Sequence, residues 1–233
     1  MHADVILSPG EFARYELEGK LAIVIDVFRF TTTILTALEA GLERFYPVAD
    51  IDEAMEMQRA HPNFLLAGER KALPIPGFDF GNSPLEHVGH TYQGGSLVCS
   101  TTNGTRAIQA ARGAKEVLLA SIRSAKAVAD YARQSGLDLL FFPAGLEGKF
   151  SLEDTWCAGL ILSYLRGSSF GDGAKTALAL FEAVPLVELK ESTHGQRLQA
   201  LGLHGDLDFC LQKNTSHGVI IWDQETGWGC LGS

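Results

Sequence analysis

Leu21-Ala22-Ile23-Val24-Ile25-Asp26-Val27-Phe28-Arg29-Phe30-Thr31-Thr32-Thr33 runs directly into Ile34-Leu35-Thr36-Ala37-Leu38, and its reading decides the fold. An apolar run ends in an acid, an arginine follows, and a row of hydroxyls precedes a helical pattern. This spacing predicts a buried strand over Leu21–Val27, a short loop and a helix over Thr31–Ala40 started by Thr caps and stopped by Gly41. Such a junction points backbone N–H groups out of the helix end, where an anion can accept from them. The same grammar recurs in Leu97-Val98-Cys99-Ser100, Thr101-Thr102-Asn103-Gly104-Thr105-Arg106 and Ala107-Ile108-Gln109-Ala110-Ala111. Two such turns read as two halves of one anion site, with phosphate the first candidate.

Outward from these turns, strands are expected at Val5–Leu7, Phe45–Val48, Phe64–Ala67, Glu116–Ala120, Leu137–Phe142 and Val219–Trp222. Helices are expected at Asp50–Ala60, Ser124–Gln134, Leu152–Leu165, Ala174–Ala183, Val187–Ser192, Gln196–Leu201 and Leu207–Gln212. The alternation predicts an α/β protein with a largely parallel sheet sandwiched between helices, an α/β/α arrangement. It reads as a single domain over 1–233, with room for a helix-rich C-terminal subdomain at about 174–212. The Gly68–Pro84 stretch holds three prolines and three glycines, so it is expected to be an irregular lid or binding loop. In such sheets ligands sit beyond strand carboxyl ends, where the Asp26, Glu69, Thr101 and Pro143 loops can converge.

Bulk composition narrows the classes. The chain has 233 residues, is 46% hydrophobic and carries a formal net charge of -9, which argues against duplex nucleic acid or an anionic membrane as a partner. Arg29, Arg70 and Arg106 still supply local positive charge for a small anionic substrate. Four widely separated cysteines form no C-x-x-C pair, as expected of a reducing cytoplasmic compartment. The N-terminus shows no signal-peptide pattern and no apolar run approaches a membrane span. An apolar, helix-rich C-terminal third could supply an interface for a homo-oligomer.

Sharper motifs fail. There is no G-x-x-x-x-G-K-[ST], and Gly171-Asp172-Gly173 neither completes a dinucleotide fingerprint nor follows a strand. Phe28 stands where an aspartyl-nucleophile phosphatase carries a second acid. Six residues separate Cys99 from Arg106, one more than a cysteine phosphatase uses. His87-x2-His90 lacks a third ligand nearby. What remains is oxygen chemistry: Asp26, Glu69, Asp79, Glu153 and Asp154 lie in or beside strand-end loops, and carboxylates beside a phosphate favour Mg2+. Glu153 and Asp154 equally suit a helix's first turn, whereas Asp26, closing an apolar strand, needs partners.

At these residues the chain resembles the 2-phosphosulfolactate phosphatase family. The likeness is carried by Asp26–Thr33, by Gly68-Glu69-Arg70 leading to Gly77–Pro84, and by Thr101–Arg106. Glu153-Asp154 with Cys157-Ala158-Gly159, and Ser192-Thr193-His194-Gly195, extend it over about residues 5 to 212. Phe28 and Phe30 depart from it, standing where Leu and Ala are expected in the pocket wall. The resemblance implies a magnesium-dependent phosphoric monoester hydrolase that converts 2-phospho-3-sulfolactate to 3-sulfolactate and phosphate, a step of coenzyme M biosynthesis in methanogens. Rival readings are a phosphatase for another 2-phospho-2-hydroxy acid and a non-catalytic binder of small phosphorylated or sulfonated acids. On the phosphatase reading Asp26, Glu153 and Asp154 hold the metal or activate the attacking group, with Asp26 and Asp154 catalytic. Arg29, Arg106 and the Thr101, Thr102, Asn103, Gly104 and Thr105 loop hold the phosphoryl oxygens, beside Thr31 and Thr32 of the first turn. Glu69, Arg70, Asn82 and Ser83 bind the carboxylate or sulfonate end.

Overall fold

The computed structural model describes residues 1–232. Its strands are β1 (His2–Val5), β2 (Leu21–Ile25), β3 (Arg44–Pro47), β4 (Leu65–Arg70), β5 (Leu73–Pro74), β6 (Ser96–Ser100), β7 (Glu116–Ala120), β8 (Leu139–Pro143), β9 (Ser169–Phe170), β10 (Ile220–Trp222) and β11 (Gly229–Leu231). Its helices are α1 (Phe30–Glu39), α2 (Ile51–Ala60), α3 (Gly104–Ala110), α4 (Ala125–Ser135), α5 (Leu152–Ser163), α6 (Asp172–Ala183), α7 (Thr193–Ala200) and α8 (His204–Cys210). All the strands join one mixed, mostly parallel sheet in the order β5-β4-β6-β3-β11-β10-β7-β2-β8-β1-β9, flanked by helices as the alternation predicts. Among the described residues no helix is long and apolar enough to cross a membrane.

β2 is central and wholly buried, pairing in parallel with β7 on one side and β8 on the other, so Ile23 lies between Leu118 and Phe141. Because side chains alternate across a strand, β2 feeds two cores. Leu21, Ile23 and Ile25 pack with Trp156, Leu160 and Ile161 of α5 and with α4. Ala22 and Val24 pack with Ile34, Leu35 and Leu38 of α1 and with Ala107 and Ile108 of α3. The outer layer closes tightly at Gly159, where a Cβ would lie 2.1 Å from the Ala177 carbonyl oxygen of α6.

The sheet has two parallel blocks, β4-β6-β3 and β7-β2-β8-β1-β9, joined by the antiparallel hairpin β10–β11. Three antiparallel ladders in succession (β3 with β11, β11 with β10, β10 with β7) reverse the strand sense between the blocks. In a flat sheet the ends of β2 and β6 would therefore face opposite ways. They meet instead, because the twisted sheet curls round α1 and α3 until the two blocks share one core containing Val24, Phe142, Phe45 and Leu97. That curl brings both phosphate-type turns to one place.

Several local expectations are corrected. The first strand is His2–Val5 rather than Val5–Leu7, since the Asp4 carboxylate turns aside to accept from the Val5 and Ala174 N–H groups at 2.9 and 3.0 Å. Gly68–Arg70 continues β4, and Leu73–Pro74 returns against it as β5, so the long loop is partly sheet. Its Asp79 is structural: Oδ2 accepts from Leu66 N at 2.8 Å and stitches the loop to the strand. Leu186–Glu191, after Pro185, is a 3-10 helix rather than an α-helix. The Thr residues do not cap α1, whose N-cap is Arg29 without a side-chain cap bond.

Candidate active site

The first turn spends its hydroxyls on its own backbone. Thr31 Oγ1 donates to Asp26 O at 2.8 Å and accepts from Asp26 N at 3.2 Å, while Thr32 Oγ1 donates to Val27 O at 3.0 Å. Thr33 Oγ1 donates to Asn82 O at 2.9 Å and pins the long loop over the turn. From α5, Asp154 accepts from Val27 N at 2.8 Å and from Gly145 N at 3.1 Å, locking the loops after β2 and β8 together. Burial, then the charges of Glu153 and Asp26, push the Asp154 carboxyl well above its usual range in spite of these amides.

Asp26 is thereby presented at the end of β2, 6% exposed. Burial raises its carboxyl to about 6, with Glu69 and Glu153 adding to the shift while His194 and the Phe30 amide pull it back. The second turn leans on it from above. A Cβ at Gly104 would stand 2.8 Å from Asp26 Oδ2 and 2.3 Å from Phe30 Cδ1, so only glycine lets α3 begin here. Thr105 Oγ1 donates to Thr101 O at 2.7 Å and Thr105 N to Thr101 Oγ1 at 3.3 Å, which closes this turn on itself.

The far wall comes from β4 and its loop. Glu69 accepts from Thr102 N at 2.9 Å and from Ala72 N at 2.6 Å, so it ties that wall to the second turn. Arg70 is a clamp: Nη1 donates to Glu69 O at 2.8 Å and Nη2 to Ser100 Oγ at 2.9 Å and Ala49 O at 3.1 Å. The Arg29 guanidinium is buried and held by Asp206 Oδ2 of α8 at 2.5 Å and by Ala72 O at 3.1 Å. Ser83 Oγ donates to the other oxygen of Asp206 at 2.5 Å.

Between these walls lies a cleft open to solvent. Of the residues singled out in the sequence, Asp26, Arg29, Glu69, Asn82, Thr101, Thr102 and Asn103 line it. Thr31, Thr32, Arg70, Ser83, Gly104, Thr105, Glu153 and Asp154 stand behind the lining as supports. Arg106 is exposed and is not among the lining residues. Phe28 lines it too, as the resemblance placed it in the pocket wall, and the structure adds Lys71, Glu147, His194 and Arg197. His194 sits in the first turn of α7, its Nδ1 3.0 Å from Glu153 Oε1 and its ring edge-on to Phe28 at 6.0 Å between centroids. Burial works to raise Glu153, but the hydrogen bond and charge of His194 outweigh it and hold that carboxyl below its ordinary range. Arg197, one turn on, pairs with Glu147 Oε1 at 2.8 Å. The Ser192-Thr193-His194-Gly195 motif was the sequence signal for His194; Lys71 read only as one of a solvated pair with Arg70, and nothing in the sequence marked Arg197 or Asp206.

A perturbed carboxylate set among arginine, lysine and backbone donors beyond parallel strands defines an α/β enzyme that handles a small anion. Known proteins make that class particular. The family model described as 2-phosphosulpholactate phosphatase matches residues 6–225. A relative in Carboxydothermus hydrogenoformans, named probable 2-phosphosulfolactate phosphatase, is 41% identical over 218 residues, covering 92% of this chain and 90% of the relative. Relatives of the same name in Clostridium perfringens strain SM101 (40% identical; 92% of this chain, 90% of the relative) and Symbiobacterium thermophilum (43%; 86% and 90%) agree. The chain belongs to the 2-phosphosulpholactate phosphatase family.

Proposed function

We propose that this protein hydrolyses 2-phospho-3-sulfolactate to 3-sulfolactate and phosphate. The observation that carries this reading is Asp26, an acid kept near the point of ionisation at the floor of a cleft that also holds Arg29, Lys71 and Arg197. Family membership supplies the substrate; the cleft supplies the means. The phosphoryl group would lie against Asp26, beside the Thr101–Asn103 turn and Arg29, where fixed donors stabilise charge on its oxygens in transfer. Lys71 and Arg197 face the outer cleft, suited to the carboxylate and sulfonate. Arg29, fixed by Asp206 and Ala72, orients the substrate without having to reorganise.

Magnesium, which the family resemblance implies, fits Asp26 better than it fits the three acids of the sequence reading. Asp154 spends both oxygens on backbone N–H groups and Glu153 faces His194. Among the described residues no three His, Cys, Asp or Glu side chains gather closely enough to hold a metal alone. Asp26 and Glu69, however, line the same cleft and repel each other, a cost that a divalent cation at Asp26 would relieve. Mg2+ is commonly held by one or two carboxylates together with the substrate's phosphate. Bound there it would neutralise the phosphoryl oxygens.

One feature favours a second substrate reading within the same chemistry. Phe28 lines the cleft where the family resemblance expects a smaller Leu, so a related phospho-acid such as 2-phospholactate or phosphoglycolate would fill the remaining space. We place the enzyme in the cytoplasm, in keeping with four free cysteines, three of them buried. Phosphate release from a panel of 2-phospho-2-hydroxy acids tests both readings. The sulfonated substrate is expected to give the highest kcat/KM; a preference for phospholactate would move the substrate, and ligand binding without release would make the protein a binder.

A further inference from the structure

His194, half-buried, and Glu153, buried beneath it, form a pair that the preceding reaction leaves without a task. Glu153 is 1% exposed, and its Oε1 takes the Nδ1 side of the imidazole at 3.0 Å. Its neighbour Asp154 is already committed to Val27 and Gly145, so the α5 end is rigid where it meets the ring. On the other side, Ser192 Oγ accepts from Gly195 N at 3.0 Å and fixes the first turn of α7, while Phe28 packs edge-on against the ring. Backbone, partner and packing thus set the imidazole in one orientation. With Nδ1 turned to Glu153, the other nitrogen, Nε2, is left for the cleft that His194 lines together with Asp26.

Resting on the phosphatase reading above, we propose that His194 is the general acid of the reaction, donating the Nε2 proton to the ester oxygen as it leaves phosphorus, and that Glu153 is its positioning residue. The chemistry demands such a donor. The leaving group is the oxygen on C2 of a hydroxy acid, an alkoxide that departs poorly unless protonated, and general acids contribute about 10²–10⁴-fold. An oxygen nucleophile, water itself or the Asp26 carboxylate, forms a new bond to phosphorus; on the Asp26 route water then breaks the aspartyl–phosphate bond and releases phosphate. The bond from phosphorus to the C2 oxygen breaks, its electron pair stays on that oxygen, and the Nε2 proton joins it there. The imidazole recovers its proton from the water that is consumed, so ester and water become alcohol and phosphate. The other cleft groups suit this step less well: Arg29 and Arg197 do not give up protons, and Lys71 is exposed and, among the described residues, is held by no partner as His194 is by Glu153.

The test is phosphate release by the full chain, wild type against His194→Ala and Glu153→Gln, with the 18O kinetic isotope effect at the bridging oxygen. His194→Ala is expected to lower kcat about 10²–10⁴-fold with little change in KM. It is also expected to enlarge the bridging isotope effect, because the oxygen then departs unprotonated, and added imidazole is expected to restore part of the rate. Glu153→Gln is expected to fall between, with the isotope effect shifted in the same sense. Should His194→Ala fail to fold, His194→Gln carries the same isotope test. A variant whose rate falls with an unchanged isotope effect and no imidazole rescue overturns the assignment while leaving the phosphatase reading intact. A wild-type protein silent on every 2-phospho acid overturns the phosphatase reading itself and the assignment with it.

Discussion

Gly104 opens α3 directly against the carboxylate of Asp26, so close that a Cβ there would stand 2.8 Å from Oδ2. One glycine thus sets how near the two strand-end turns approach, and so whether the cleft has its floor. Gly104→Ala must push α3 away from both Asp26 and the Phe30 ring. It is expected to lose activity by more than tenfold and to cost roughly 1–3 kcal/mol of stability, checked by phosphate release and urea unfolding on the same preparation.

Asp26 trades stability for function. Its carboxyl is raised to about 6 in the folded protein, burial being the main cause. The native state therefore holds this proton more tightly than the unfolded chain does, and the stability it contributes is lost as pH rises from the ordinary Asp value through about 6. Asp26→Asn removes that cost. In EDTA at neutral pH it is expected to be more stable than wild type by on the order of 3 kcal/mol and to show a flatter pH–stability curve between pH 4 and 7 (about the window of the shift). Equal stability at pH 7 would contradict a carboxylate held there against its solvation.

Asp154 is expected to matter as a fastener. Asp154→Ala strands the Val27 and Gly145 N–H groups in a buried site, at about 1–3 kcal/mol each. The melting temperature should drop accordingly, and hydrogen exchange should quicken first at those two amides.

The Arg29–Asp206 pair is buried on both sides, at 4% and 2% side-chain exposure. Asp206→Ala leaves a guanidinium without its partner and is expected to cost about 3–5 kcal/mol. The double variant Arg29→Met/Asp206→Leu should recover much of that stability and none of the turnover, which separates the pair's role in folding from Arg29's role in the cleft.

The sequence disclosed the parts whose signal is local. β2 is an unbroken aliphatic run that ends in Asp26, and burial on both faces is why that run could be read so directly. Asp26, Glu69 and the Thr101–Asn103 turn were legible as polar residues at strand ends, Asn82 only through the family resemblance, and all line the cleft. The Thr residues misled at the level of detail. Their hydroxyls suit helix caps equally well, and only the folded turn shows Thr31 and Thr32 bonded back to Asp26 and Val27. Arg29 looked like a free anion ligand because Asp206 lies 177 positions away. Strand β11, Gly229–Leu231, carries too short an apolar signal to be read alone and is defined by its pairing with Ile220–Trp222. Arg197 was invisible for a related reason: an arginine in a short amphipathic helix announces nothing until the fold sets α7 against the cleft.

The most direct test is phosphate release from 2-phospho-3-sulfolactate by the purified protein, in magnesium and then in EDTA, with Asp26→Asn alongside. Turnover that requires magnesium and vanishes in the folded Asp26→Asn protein is the expected result. Turnover undiminished in Asp26→Asn would remove Asp26 from the chemistry, and no release from this or any related phospho-acid would contradict the phosphatase reading altogether.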